Sequence, residues 1–177
     1  MSFIHRLRRV FSPAPHPAAD PLYRACVAQA RLPVFYTDFG VPDTVDGRFD
    51  MLVLHVFLVL RQLKGEARAS QQLFDLMFAD MDKNLREMGV GDMSVGKKIR
   101  PMISAFYGRA KAYEGALRDG GDTLRDTLAR NIYGRTPPAP EALQAMTDYV
   151  RRAASRLDGQ PSAQLLQGQV DFAEPRL

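Results

Sequence analysis

The sequence predicts an all-α fold: a single domain of about six packed helices around a central apolar helix, with flexible N- and C-terminal tails. Three observations predict it. Apolar residues return at spacings of three and four through several long stretches, which is the period of a helix with one buried face. Residues 49–60 are apolar nearly all round, as a helix covered on several sides must be. No two stretches alternate as a pair of strands would. With 46% hydrophobic and 25% charged residues in 177, the chain can bury one core and is not a disordered segment.

Each element follows from its residues. Residues 1–19 divide into a short amphipathic segment and a Pro-rich linker. In the first part Phe3, Ile4, Leu7, Val10 and Phe11 share a stripe and Arg6, Arg8 and Arg9 lie away from it, the pattern of a reversible anchor on an anionic membrane surface. The linker SPAPHPAADP cannot be helical. The helical domain then spans 20–157. Asp20 suits the cap of a first helix opened by Pro21 and running to about Arg31. A loop with Phe35, Tyr36 and Phe39 leads to the core helix, from about Arg48 to Lys64. The next helix carries Leu73, Leu76, Met77, Met81, Leu85 and Met88 and stops at Gly89, where a left-handed residue is favoured. Ser94 suits the cap of a helix bearing Val95, Ile99, Met102, Ile103, Phe106, Ala110, Tyr113 and Leu117, with Pro101 predicting a kink or a late start. Asp122 suits the cap of a short helix ending near Gly134. Leu143, Met146, Tyr149, Val150, Ala153 and Leu157 mark the last helix. Residues 158–177 have little periodicity and read as a mobile tail.

Two short motifs in this frame mimic ligand sites. GDMSVGKK has the glycine and lysine spacing of a phosphate loop, but Lys98 stands where a hydroxyl should hold the metal, and a helix precedes it where a strand is required. Asp80, Asp82 and Asn84 fill the first liganding positions of a calcium loop, but Leu85 stands where glycine must turn the chain and Gly91 where a bidentate Glu belongs. The expectation is no nucleotide or calcium binding. His5, His16 and His55 are too far apart for a helical ligand pair, and there is no nucleophile motif. The chain therefore predicts no catalytic residues, no metal site and no cofactor: it is not an enzyme. The single Cys26 excludes an internal disulfide and suits a reducing compartment. The ten-residue run MLVLHVFLVL falls short of a membrane span. A net charge of +4 concentrates at Arg6–Arg9, Lys97–Arg100 and Arg151–Arg156, which leaves open a helical nucleic-acid-binding or adaptor module using Lys97, Lys98 and Arg100.

The segments FYTDFGVPDTVDGRFDMLVLHVFLVLRQL, QQLFDLMFADMDKNLREMGVGDMSVGKKI and AFYGRAKAYEGAL, in that order, resemble the ubiquinol–cytochrome c chaperone family, over about residues 20–157. The resemblance implies an all-helical, non-enzymatic chaperone that binds newly made, unassembled cytochrome b and promotes assembly of the ubiquinol-cytochrome c reductase (bc1) complex of the respiratory chain. It also implies a small partner subunit and the ribosome as contacts, as for mitochondrial members, and no specific nucleic acid. Without a transit peptide the chain looks like a bacterial member, cytoplasmic and peripheral to the inner face of the cytoplasmic membrane.

The client surface is expected around Phe35, Tyr36, Phe39, Asp43, Asp46, Arg48 and Phe49, with Tyr107, Arg109 and Tyr113. Aromatic anchors in a Pro- and Gly-bounded loop beside charged residues have the makeup of an interaction site.

Overall fold

A computed structural model describes residues 16–134, 136 and 138–177. The expected membrane anchor, Phe3 to Phe11, lies outside the described residues. The elements run α1 (Ala19–Ala30), α2 (Val34–Thr37), α3 (Val45–Gln62), α4 (Ala67–Glu87), α5 (Asp92–Asp119), α6 (Gly121–Leu128), a π-helical turn (Ala129–Tyr133), α7 (Pro140–Gly159) and α8 (Ser162–Leu165), with no strand among the described residues.

Helix α3 is the axis of the molecule, as its composition requires. Every residue from Phe49 to Leu60 is buried, and α1, α4, α5, α7 and the π turn all pack on it. Its start is fixed twice. The Thr44 hydroxyl accepts the Gly47 amide at 3.1 Å, an N-cap worth about 1 kcal/mol. A Cβ at Gly47 would stand 2.0 Å from the Pro42 carbonyl oxygen, so only glycine lets the preceding loop lie against the helix.

Around that axis the helical stripes bury as their spacing requires. Leu73, Met77 and Leu85 are buried on α4, Val95, Phe106, Ala110 and Tyr113 on α5, and Met146, Tyr149, Val150, Ala153 and Leu157 on α7. Gly89 follows α4 at φ +83, as expected of a helix stop. Other boundaries differ. Helix α1 starts at Ala19 with no side-chain cap, so Asp20 sits in its first turn and favours the positive helix end by charge alone. Gly91 and Gly120 occupy the N-cap positions assigned to Ser94 and Asp122, which lie inside the first turns of α5 and α6. Pro101 is accommodated within an unbroken α5 of 28 residues; a proline ring tolerated mid-helix leaves the Lys97 carbonyl without its usual amide donor.

For the expected mobile tail, 158–177, the structure gives a packed segment instead. Leu165 and Ala173 are buried, and Phe172 meets the His55 ring edge-on at 5.2 Å. Gln160 spans the segment, its amide nitrogen donating to the Gln169 carbonyl at 3.0 Å and its side-chain oxygen accepting the Asp171 amide at 3.1 Å. Gly168, at φ +79, lies so close to α1 that a Cβ there would sit 2.2 Å from Pro21 Cβ. Packing of isolated apolar residues through side-chain amides leaves no period in the sequence, which is why the stripe rule misses it.

Candidate docking groove

A groove of about 1160 Å³ opens where α1, α3, α4 and α5 converge. The end of α1 contributes Val27 and Ala30, the first half of α3 contributes Val45, Phe49 and Leu52, the end of α4 contributes Met81, Leu85 and Met88, and α5 contributes Pro101 and Met102. Its lining is thus apolar and rich in methionine, an unbranched, polarizable side chain that adapts to irregular partners. Two of the largest exposed apolar residues stand at its edge, Val45 at 62% and Met88 at 54% exposure. Exposed apolar surface gathered on one concavity marks a place where another molecule sits.

The rim is polar and mainly cationic. Arg31, Arg48, Lys97, Lys98 and Arg109 line it together with Asp46, Asp50 and Glu87. Arg48 is held by Asp43 at 2.6 Å, and that hydrogen bond keeps the exposed Asp43 carboxyl below its ordinary range. Deeper in, Arg109 Nη2 lies 2.7 Å from Asp50 Oδ1. Burial outweighs this cation and pushes the Asp50 carboxyl up to about 7. Arg109 Nε and the Tyr113 hydroxyl are buried beside it without a hydrogen-bond partner among the described residues.

The structure distributes the expected client residues unevenly. Asp46, Arg48, Phe49 and Arg109 line the groove. Phe35, Phe39 and Tyr113 have no accessible surface with which to touch a partner. Phe35 packs edge-on against Phe39 at 5.6 Å and Tyr149 at 4.9 Å, while Tyr113 lies against Phe57 at 5.5 Å. Tyr36 is half-buried and donates to the Ala30 carbonyl at 2.8 Å, and the half-buried Tyr107 packs on Phe74 at 5.5 Å. The aromatic segment, expected as a loop, holds the short helix α2 with Phe35 and Tyr36 and is scaffold, locked from behind by the Tyr133 hydroxyl, which donates to the Phe39 carbonyl at 2.9 Å. Phe35 and Phe39 close the core around His55 in place of facing outward, because two phenyl rings bury more apolar area inward than a polar rim could offset.

His55 itself belongs to this scaffold. Its Nδ1–H donates to the Met51 carbonyl at 2.8 Å, and its Nε2 accepts the Tyr149 hydroxyl at 2.7 Å. Both ring nitrogens are satisfied in the neutral form, and burial lowers the imidazole to about 4. Asp80 and Asp82, which resemble calcium ligands in sequence, lie on α4, where Asp80 ties it to α1 and Asp82 pairs within the helix. Asp80 accepts from the Tyr23 hydroxyl at 2.6 Å and from Asn84 at 3.2 Å, and Asp82 pairs with Arg86 at 2.6 Å.

Sequence reasoning missed Val27, Ala30, Leu85 and Met102 as groove residues and placed Met81 and Met88 only on the apolar stripe of their helix. The stripe on α4 runs on through its last turns and that on α5 begins in its first half, where they line the open groove and keep the apolar period without a full cover. The one signal was the run of four methionines at 77, 81, 88 and 93, of which Met77 is fully buried while Met88 and Met93 are exposed. Among the described residues no helix is long and apolar enough to cross a membrane.

Residues 37–172 match the family model described as Ubiquinol-cytochrome C chaperone. The chain is 26% identical over 145 residues to the ubiquinol-cytochrome-c reductase complex assembly factor 1 of Xenopus laevis, covering 80% of this chain and 72% of that one. It is 27% identical over 153 residues to the human protein of that name, covering 84% of this chain and 51% of that one. Among solved structures, the Cbp3 homolog from Brucella abortus superposes with a TM-score of 0.79 at 35% identity over 89% of each chain.

Proposed function

This chain belongs to the ubiquinol-cytochrome C chaperone family, and we propose that it is a non-enzymatic assembly chaperone of the bc1 complex whose groove holds newly made cytochrome b. The observation that carries this reading is the open, methionine-lined groove between α1, α3, α4 and α5. Cytochrome b, as an apolar membrane subunit, must have its surface covered until its partners arrive, and a helical groove does so through side chains without requiring a fixed partner sequence. The groove exceeds the ~300–1000 Å³ of ordinary small-molecule pockets. Work takes place at the inner face of the cytoplasmic membrane, with the basic segment Phe3–Phe11 attracted to anionic lipid by about 1 kcal/mol per Arg. A small partner subunit and the ribosome are further contacts of this reading.

The test is a pair of substitutions that alter the groove mouth without loosening the fold. Val45→Asp places an acid in the first turn of α3 and Met88→Lys a cation at the end of α4, both favoured by the helix dipole. The double variant should keep the wild-type melting temperature yet fail to restore assembled bc1 complex to a strain lacking the chain. Full restoration would remove the groove from the function.

A further inference from the structure

The groove's charge is not balanced among the described residues. Of its lining cations, Arg48 is taken by Asp43 and Arg109 by Asp50, whereas Arg31, Lys97 and Lys98 have no carboxylate partner among the described residues. Of its acids, Glu87 pairs with Lys83 at 3.7 Å, and among the described residues only Asp46 is left unpaired. Among the described residues, three free cations therefore border the apolar floor against one free acid. We propose that the segment the groove takes is a helix whose apolar stripe lies on Met81, Met88 and Met102 and whose edge carries carboxylates facing Lys97, Lys98 and Arg31. This rests on the reading of the groove as the client surface and specifies what that client must present.

The walls decide for a helix. All four are helices, whose backbone amides and carbonyls are bonded internally, so an extended peptide finds no sheet edge to extend. A row of side chains in a concave trough is the complement of another helix laid lengthwise. Charge decides against the competing occupants. The chain's own N-terminal segment carries Arg6, Arg8 and Arg9 and would set like against like, as would the same cationic groove of a second copy. A bilayer is flat and would touch the rim while leaving the apolar floor uncovered.

The full-length protein is tested by fluorescence anisotropy against three Leu/Ala helices of ~20 residues, identical except that the edge residues are Glu, Gln or Lys. The expected order of affinity is Glu, Gln, Lys. The Glu and Lys forms should differ by roughly tenfold at low salt, with the gap closing as salt screens the rim. Lys97→Glu/Lys98→Glu, at two exposed helical positions, should reverse the order while leaving the melting temperature unchanged. Equal affinities, or an order that the double variant leaves unaltered, would overturn the proposal. So would phosphatidylglycerol vesicles that bind through Lys97 and Lys98 while none of the peptides does, or a dimer that dissociates when the Glu peptide binds. Assembled bc1 complex in a strain lacking the chain is measured separately. Normal assembly there removes the chaperone reading itself, whereas an assembly defect together with indifferent peptides removes only the acidic helix.

Discussion

Replacing Asp50 with Asn should expose a pH dependence that the wild-type protein conceals. Two buried groups titrate with opposite consequences. His55 is fully buried and neutral, with its imidazole lowered from 6.5 to about 4. Its stabilising effect is present above 6.5 and is lost as pH falls through 4, because the unfolded chain takes up the proton first. At 1.36 kcal/mol per unit this is worth roughly 3 kcal/mol. Asp50 is raised from 3.8 to about 7 by burial. Its stabilising effect is complete below 3.8 and is lost as pH rises through 7, a change of roughly 4 kcal/mol by the same conversion. Between pH 4 and 6.5 the two slopes nearly cancel in the wild type. Asp50→Asn keeps the shape beside Arg109 and removes one of them. Urea unfolding at several pH values between 4.5 and 7.5, read as the change in midpoint at constant m-value, should give a nearly flat wild type and a variant that loses roughly 3 kcal/mol toward the acid end. Parallel profiles for the two proteins would refute the upward shift of the buried Asp50 carboxyl.

Three further outcomes follow from the packing. Tyr149→Phe leaves His55 Nε2 and the Gln29 amide without their shared hydroxyl, so thermal unfolding should show a loss of about 1–3 kcal/mol. Gly168→Ala forces a Cβ against Pro21 at a positive φ; limited proteolysis should cut within 166–177 while α1 to α7 stay intact, with a stability loss of about 1–3 kcal/mol. Phe35→Ala should cost about 3–5 kcal/mol, because the ring is wholly buried against Phe39, His55 and Tyr149. A folded, stable Phe35→Ala protein with impaired bc1 assembly would instead restore the aromatic loop as a contact surface.

The helices were legible because each one's buried face is written locally, in residues three and four apart; α3 announced its central place by being apolar on every side. The caps were less so. Ser94 and Asp122 carry good capping side chains, yet Gly91 and Gly120 take those positions, since the turn geometry between helices outweighs about 1 kcal/mol of capping. The packed tail was invisible because Phe172 and Ala173 meet His55 and Gln29 from across the molecule, a long-range match with no period. The groove was half legible. Asp46, Arg48, Phe49 and Arg109 could be placed near a site by their chemistry, but the fact that Met88 is uncovered while Met77 is not depends on where α1 ends and α5 begins beside α4. No local pattern carries that information.

The central claim is tested most directly by placing a photocrosslinking side chain at Met88 or Met102 in the groove and, as a control, at Gln144 on α7, then identifying crosslinked proteins in growing cells by mass spectrometry. The account predicts cytochrome b at both groove positions and not at Gln144. Cytochrome b captured at Gln144, with none at Met88 or Met102 in protein that folds and supports bc1 assembly, would contradict it.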